Sequence, residues 1–383
     1  MSPYLPLVLL LASVGAACAV PGVFLLLRRV ALVSDAISHV LLFGIVTAYL
    51  LLKQLPPEWV GTDNDVRGSA WLFVGAAASG VLTVALVELL QRTKLVKEDA
   101  AIGLVFPALF ALGAVLITLY VPPKAHLDAD AVLLGNEVFS ASPDAALVPF
   151  GVPIGPRAAW ALGGLFVLNT LLVLLAYKEL KLSTFDPELA TVFGFAPALL
   201  HYGLMTCVSL TAVAAFDAVG VVVVVALFVV PAGTAYLLTD RLSWLLVLSV
   251  LFAVGGAVLG TLLAIAIDAN VAGTVAVVLG LLFGVVFLVA PRRGLVAQVL
   301  TRIDQRRRFH ETMLAIHLLQ HEGTPEETDE SDVAGLHRHL HWLPADVTTV
   351  VKRAERRGLV TQANGRLTLT EEGRAVAKGA FTA

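Results

Sequence analysis

The sequence predicts an all-α polytopic membrane bundle of 8–9 transmembrane helices followed by a small α+β domain. Three observations predict this class. Hydrophobic residues make up 58% of the 383 and charged residues only 14%, with a mean hydropathy of +0.87. The apolar residues fall into runs of membrane-crossing length, and after Pro291 the composition turns charged. A soluble chain cannot cover that much apolar side chain, because its surface has to carry polar groups. Lipid is therefore the solvent of most of this chain. The net charge of -3 decides little. Cys18 and Cys207 both lie in apolar runs, which excludes a disulfide framework and a Cys-rich zinc site.

The first apolar run has no basic residues before it and continues to Leu27, ahead of Arg28-Arg29. It reads as a retained span, not a signal peptide, and is long enough for about 30 Å of hydrocarbon. Further runs follow near 36–52, 70–90, 101–121, 158–177, 197–215, 219–239, 243–267 and 271–290. Without water to bond the backbone, each run is expected to be helical. The second is short and begins inside the preceding loop. Only Phe216-Asp217-Ala218 separates the sixth from the seventh, so a re-entrant or broken helix there would leave eight full spans. Gly280 and Gly284 have a small-residue spacing suited to close helix packing.

Basic residues mark alternate loops: Arg28-Arg29, then Arg92, Lys94 and Lys97, then Lys178 and Lys181, then Arg241, then Arg292-Arg293. The other loops carry Glu58, Asp63 and Asp65, then Asp128, Asp130 and Glu137, then Asp217, then Asp268. Basic loops face the cytoplasm. All nine runs then alternate, with the N-terminus outside and the C-terminus inside.

Residues 1–292 are thus assigned to the transmembrane domain, 293–308 to a basic linker and 309–383 to a cytoplasmic domain. Within that last part His310–His321 has helical periodicity, 322–332 reads as an acidic linker or turn, and Val333–Leu340 as a short helix. Another helix starts at Pro344 and runs to about Arg357. Two short strands flank Asn364-Gly365, a strong hairpin signal. Three helices and a hairpin make the winged-helix order.

Three stretches could carry chemistry. Asp35 and His39 are i and i+4, so both lie on one helix face. A carboxylate beside an imidazole suits a borderline divalent cation such as Mn²⁺, Fe²⁺ or Zn²⁺. The plainer alternative makes Asp35 a charge at a helix N-terminus and His39 a packing residue. Lys97 to Gly103 carries acidic residues at a helix start, which local electrostatics explains. In the third, Asp186 and Pro187 suit the N-cap and first position of a two-turn helix that Gly194 would terminate. Such a helix either docks a partner or merely closes the loop. The chain has no P-loop and neither H-E-x-x-H nor G-x-S-x-G, so nothing points to an enzyme.

Five stretches in order resemble the permease subunits of the ABC-3 family of bacterial zinc and manganese ABC importers. They are Asp35-Ala-Ile-Ser-His39, Lys97 to Phe106, Leu134-Gly-Asn136, Lys178 through Ala190, and Ala215 through Tyr236. The resemblance spans about residues 5–290. It implies two permease copies or paralogues on two cytoplasmic ATPase subunits, with an extracytoplasmic metal-binding protein delivering the ion. No permanently bound cofactor is implied; the metal is cargo, Mn²⁺ first, with Zn²⁺ or Fe²⁺ as alternatives. It makes Asp35, His39 and Asp217 candidates for the metal pathway. It also makes the helix from Phe185-Asp186-Pro187-Glu188-Leu189-Ala190 to Gly194 the ATPase coupling helix. The topology puts Asp35 near the cytoplasmic end of its helix, so the pair could serve an inner gate rather than first capture, and which end of the pathway it faces is left open.

The tail from about Phe309 to Ala377 resembles the DNA-binding domain of the DtxR-type iron- and manganese-dependent repressors. The residues are Ser331-Asp-Val-Ala-Gly-Leu336, Pro344 to Val360, and Leu369 to Ala377. Residues 291–383 hold 14 Lys+Arg and 12 Asp+Glu, a balance of +2. Arg306-Arg307-Arg308 could touch lipid or DNA phosphate. Lys352, Arg353, Arg356 and Arg357 make one helix end basic. A protein-interaction or regulatory role is favoured over DNA binding, because a tethered repressor would have to search from a fixed plane. The five histidines His317, His321, His337, His339 and His341 could coordinate a metal, with spacing that is suggestive but unspecific, and scattered surface histidines are the favoured reading. The alternative to a transporter is a membrane-anchored, metal-responsive transcription regulator. A channel or proton-coupled carrier is disfavoured by the scarcity of charge within the spans.

Overall fold

A computed structural model describes residues 4–54, 70–120 and 155–380. The expected acidic loops at 58–65 and 128–137, and the Leu134-Gly-Asn136 stretch, lie outside the described residues. The chain divides into two compact units, Met1–Ala290 and Pro291–Ala383.

In the first unit, nine helices among the described residues are long and apolar enough to cross a membrane. They are α1 (Leu5–Leu27), α2 (Leu32–Lys53), α3 (Ala70–Arg92), α4 (Glu98–Tyr120), α5 (Arg157–Leu175), α8 (Pro197–Val219), α9 (Val221–Leu238), α10 (Leu242–Ile267) and α11 (Val271–Val289). Two short helices, α6 (Tyr177–Phe185) and α7 (Pro187–Val192), stand between the fifth and sixth of these. Helix α2 packs against α3 and α4, while α1 packs against α5, α9 and α10; α8 touches both groups.

Lipid offers no hydrophobic drive for helices to associate, so close van der Waals packing at small residues and polar bonds between helices must hold this bundle. Gly22 of α1 abuts α9 so tightly that a Cβ there would lie 2.2 Å from the Phe228 carbonyl oxygen. Asn169 of α5 is buried and donates to Thr211 Oγ1 of α8 at 2.8 Å. The spacing at Gly280 and Gly284 does not serve in this way: neither has an atom within 4 Å of where a Cβ would stand. Gly256 and Gly260 of α10 do, against Leu279 and Val275 of α11. Both pairs sit four apart, and only the facing helix distinguishes them. Gly22→Ala is expected to destabilise the bundle by about 1–3 kcal/mol, because the obstacle is backbone and cannot rotate away. A lowered thermal midpoint in detergent would show it; an unchanged one would mean that α1 and α9 are farther apart.

Between the sixth and seventh spans the break falls at Gly220, whose φ of +81° is open to glycine at little strain. Asp217 therefore lies in the last turn of α8, not in a connecting loop. Both flanking helices reach span length, and a broken eight-span arrangement is not needed.

The second unit departs from the sequence reading in two places. Residues 293–308 are mostly helical. A single helix, α12 (Leu295–His321), runs through them. From Leu295 the stretch has no Gly or Pro, and Arg308 pairs with Asp304 one turn back at 2.8 Å. The acidic stretch also folds, into one turn of helix, α13 (Glu327–Glu330), where Glu327 accepts the Gly323 N–H. Beyond it come α14 (Leu336–His339), shorter than expected, and α15 (Pro344–Arg356). The hairpin pairs β1 (Val360–Ala363) with β2 (Arg366–Leu369) in antiparallel register, Val360 opposite Leu369. Asn364 and Gly365 both have positive φ, as a two-residue primed turn requires. A single bridge joins Asp332 to Arg366 beside it, and α16 (Glu371–Ala380) closes the unit. Leu314, Leu318, Leu336, Val350, Leu359 and Leu367 form its core.

Candidate functional site

Asp35 stands in the first turn of α2, where the helix N-terminus favours a negative charge. One turn on, His39 Nε2 lies 3.8 Å from Asp35 Oδ1. Two ligands of one ion about 2.0–2.2 Å from each would sit roughly 3–3.5 Å apart, so a small side-chain adjustment brings the pair onto one cation. The imidazole stacks on Phe106 with ring centroids 5.5 Å apart, and Phe110 meets it edge-on at 6.0 Å. These two α4 rings fix the imidazole plane. Neither was singled out from sequence as a site residue, since only the packing of α4 on α2 brings them there.

The depth of the pair differs from expectation. A Cβ on Gly80 of α3 would meet both Ser209 of α8 and Ile37 of α2, so these three residues share a level. Gly80 is the eleventh of 23 residues in α3, and Ser209 the thirteenth of 23 in α8. Ile37 lies between Asp35 and His39. The pair therefore sits near mid-depth, not at the inner end of the bundle. Phe106 and Phe110 are also mid-helix in α4. Asp217 is eight residues beyond Ser209, about 12 Å further along α8, and is not brought to the pair.

Both side chains are partly open, 44% for Asp35 and 34% for His39. A carboxylate at this depth is costly against lipid, so this face of α2 needs a partner chain or a hydrated path.

The loop helix is built as its residues predict. The Asp186 carboxylate accepts the Leu189 N–H at 2.9 Å, and Pro187 occupies the first turn. At the other end the Phe195 N–H returns to the Ala190 carbonyl and the Gly194 N–H to that of Thr191, with Gly194 at φ +82°. That is a Schellman stop. Ala190 is fully buried, while Phe185, Leu189, Val192 and Phe193 are 60%, 41%, 82% and 67% exposed. Four large apolar side chains on one short, firmly capped segment make a contiguous surface suited to a protein partner.

Arg28, read from sequence only as a basic loop residue, ties this segment to the bundle. Its guanidinium donates to Thr184 Oγ1 at 3.2 Å and Ser183 Oγ at 3.1 Å, and lies 3.2 Å from His201 Nδ1. Burial pushes its pKa down from the ordinary value. The end of α1, helix α6 and the start of α8 are thereby held together. Nearby on α8, Tyr202 donates to Glu88 of α3, which also pairs with Arg92.

A bundle of nine candidate spans, interrupted between the fifth and sixth by a capped helix pair, is the architecture of a membrane permease subunit. The chain belongs to the ABC 3 transport family, which matches residues 4–290. The zinc transport system membrane protein TroD of Treponema pallidum (strain Nichols) is 43% identical over 371 residues, covering 97% of each chain. That similarity runs well into the second unit. The manganese transport system membrane protein MntD of Bacillus subtilis (strain 168) is 40% identical, over 77% of this chain and 94% of its own. Among solved structures, PsaBC from Streptococcus pneumoniae in complex with Fab is similar at a TM-score of 0.60 and 25% identity. The match covers 76% of this chain and 94% of that one.

Proposed function

We propose that this chain is the permease subunit of an ATP-driven importer of divalent transition-metal ions. The observation that carries the reading is the Asp35–His39 pair, near mid-depth and partly open. Transport sites are placed at such a depth, and an imidazole with a carboxylate suits Mn²⁺, Fe²⁺ or Zn²⁺. Relatives named for zinc and for manganese agree with that group of ions. Mn²⁺ is the first to test. Two ligands do not complete a coordination shell, so further donors come from a second permease copy or paralogue facing α2, or from water on the ion. ATP hydrolysis belongs to a partner ATPase, against which the exposed side chains of α7 dock as the coupling helix. An extracytoplasmic metal-binding protein delivers the ion. Asp217, far from the pair, belongs at the opposite end of the path.

The membrane is the bacterial cytoplasmic membrane, with the arginines from Arg292 onward and the tail on its inner side. The tail is a winged-helix domain of the DtxR type, with a boundary at about residue 292. A protein-interaction role is favoured over DNA. Arg357 of its basic helix end is engaged by the buried Glu311 at 2.5 Å, which leaves that end less positive. The same pair takes Glu311 away from any metal site beside His310, whose ring packs on Trp342.

Proteoliposomes holding this chain with its ATPase and binding protein are expected to accumulate Mn²⁺ on addition of ATP. Competition with Zn²⁺ and Fe²⁺ would rank the three. No ATP-dependent uptake of any of them would move the reading to an anchored regulator.

A further inference from the structure

The scattered histidines of the second unit are not all scattered in space. His317 and His321 lie one turn apart on α12, with ring centroids 5.0 Å apart. Glu330, the last residue of α13, reaches the same face, and its Oε2 is 3.1 Å from His317 Nε2. One ligand atom from each of His317, His321 and Glu330 lies within 4.8 Å of the others. His339, at the end of α14, places Nδ1 2.9 Å from Glu330 Oε2. A carboxylate oxygen from α13 is thus set among imidazoles contributed by two other elements, α12 and α14.

The cluster is poorly satisfied as a hydrogen-bond network. Glu330 Oε2 and His339 Nε2 are both buried atoms without a hydrogen-bond partner among the described residues. The two imidazole nitrogens near Glu330 Oε2 are close to it but misdirected. His317 Nε2 has its hydrogen bond instead with the Glu330 carbonyl oxygen at 3.2 Å. Buried polar atoms left this way are costly, and an ion is one means of satisfying them. The side chains are 11% (His317), 16% (Glu330) and 21% (His339) exposed, whereas surface histidines would be free in solvent.

We infer that His317, His321 and Glu330 form a divalent transition-metal site, of zinc type, with His339 holding the carboxylate. Two imidazoles and one carboxylate are a ligand set borderline ions favour, with a fourth position left for water. A shift of the His317 proton from Nε2 to Nδ1 frees the ligating lone pair. His339 Nδ1–H, redirected slightly, bonds the ligating carboxylate as outer-shell groups do. A bound ion ties α12 to the α13–α14 segment, so the order of residues 321–339 follows the supply of free metal. The site is separate from the Asp35–His39 pair and does not depend on what that pair transports.

Co²⁺ is a direct probe, since tetrahedral coordination gives it visible d–d absorption. Titration of the full-length chain in detergent is expected to develop such a band at about one equivalent. The band should persist in the Asp35→Ala/His39→Ala double variant and be displaced by Zn²⁺. His317→Ala and the near-isosteric Glu330→Gln should each abolish it. His339→Ala should weaken binding roughly 10-fold, the usual size of an outer-shell loss. Circular dichroism and thermal midpoints near wild type would exclude misfolding as the cause. Binding that survives both Glu330→Gln and His317→Ala, or that disappears in the Asp35→Ala/His39→Ala variant alone, overturns the assignment.

Discussion

His39→Ala is expected to abolish ATP-dependent metal uptake while leaving the complex assembled, and Asp35→Ala to do the same. The loss in uptake rate should exceed about 100-fold, since removing merely an outer-shell partner of a metal typically costs about 10–100-fold. Each substitution leaves one donor where two were 3.8 Å apart. Each also removes little packing: both side chains are partly open, so folding should change little compared with a core truncation. His39→Phe separates the two possible roles. It keeps an aromatic ring to stack on Phe106 and Phe110 but offers no lone pair. If His39 were only a packing residue at a helix face, the phenylalanine variant would transport normally. Uptake by both alanine variants at the wild-type rate would return the pair to structural duty. Uptake is measured in proteoliposomes, with ATPase activity recorded beside it.

Val192→Asp is expected to sever the permease from its ATPase. Val192 is 82% exposed on the permease, so the change should cost the isolated subunit less than about 0.5 kcal/mol. In a docked complex the same position would be apolar and dry. An unpaired carboxylate left in such an interface costs about 3–5 kcal/mol. That corresponds to roughly a 10²–10³-fold or greater loss of affinity for the ATPase. Co-purification of the two chains reads the effect directly, with Val192→Ala retaining most of the association. Full association of Val192→Asp would place the docking surface elsewhere. A weaker form of the same defect is expected from Arg28→Ala, which removes the bonds to Ser183 and Thr184 without touching the exposed face.

Much of this protein is legible from its residues in order. Local physics sets the helices: runs of apolar residues in a solvent without hydrogen bonds have one stable backbone, and the spans follow. The coupling-helix candidate is equally local. Asp186, Pro187 and Gly194 act on backbone groups within a few residues of themselves, so their capping could be read before any fold was known. The hairpin at Asn364-Gly365 belongs to the same kind, because a primed turn needs only its own two positive φ angles.

What the sequence could not decide is what lies opposite what. Gly280 and Gly284 have the same spacing as Gly256 and Gly260, and only the second pair faces another helix. The Asp35–His39 spacing was plain, but its depth was not. Helix position placed it at an end, whereas Ile37 and Ser209 of α8 meeting at the same Gly80 of α3 raise it to the middle. The tail shows the same limit most clearly. Spacing joins His317 to His321 and says nothing of Glu330 or His339, since chain order carries no distance once a turn folds it back. The sequence determined which segments cross the membrane and how their ends are capped, because those depend on neighbours within one or two turns. Tertiary structure alone decided which polar groups meet, because burying them together depends on the packing of elements far apart in the chain.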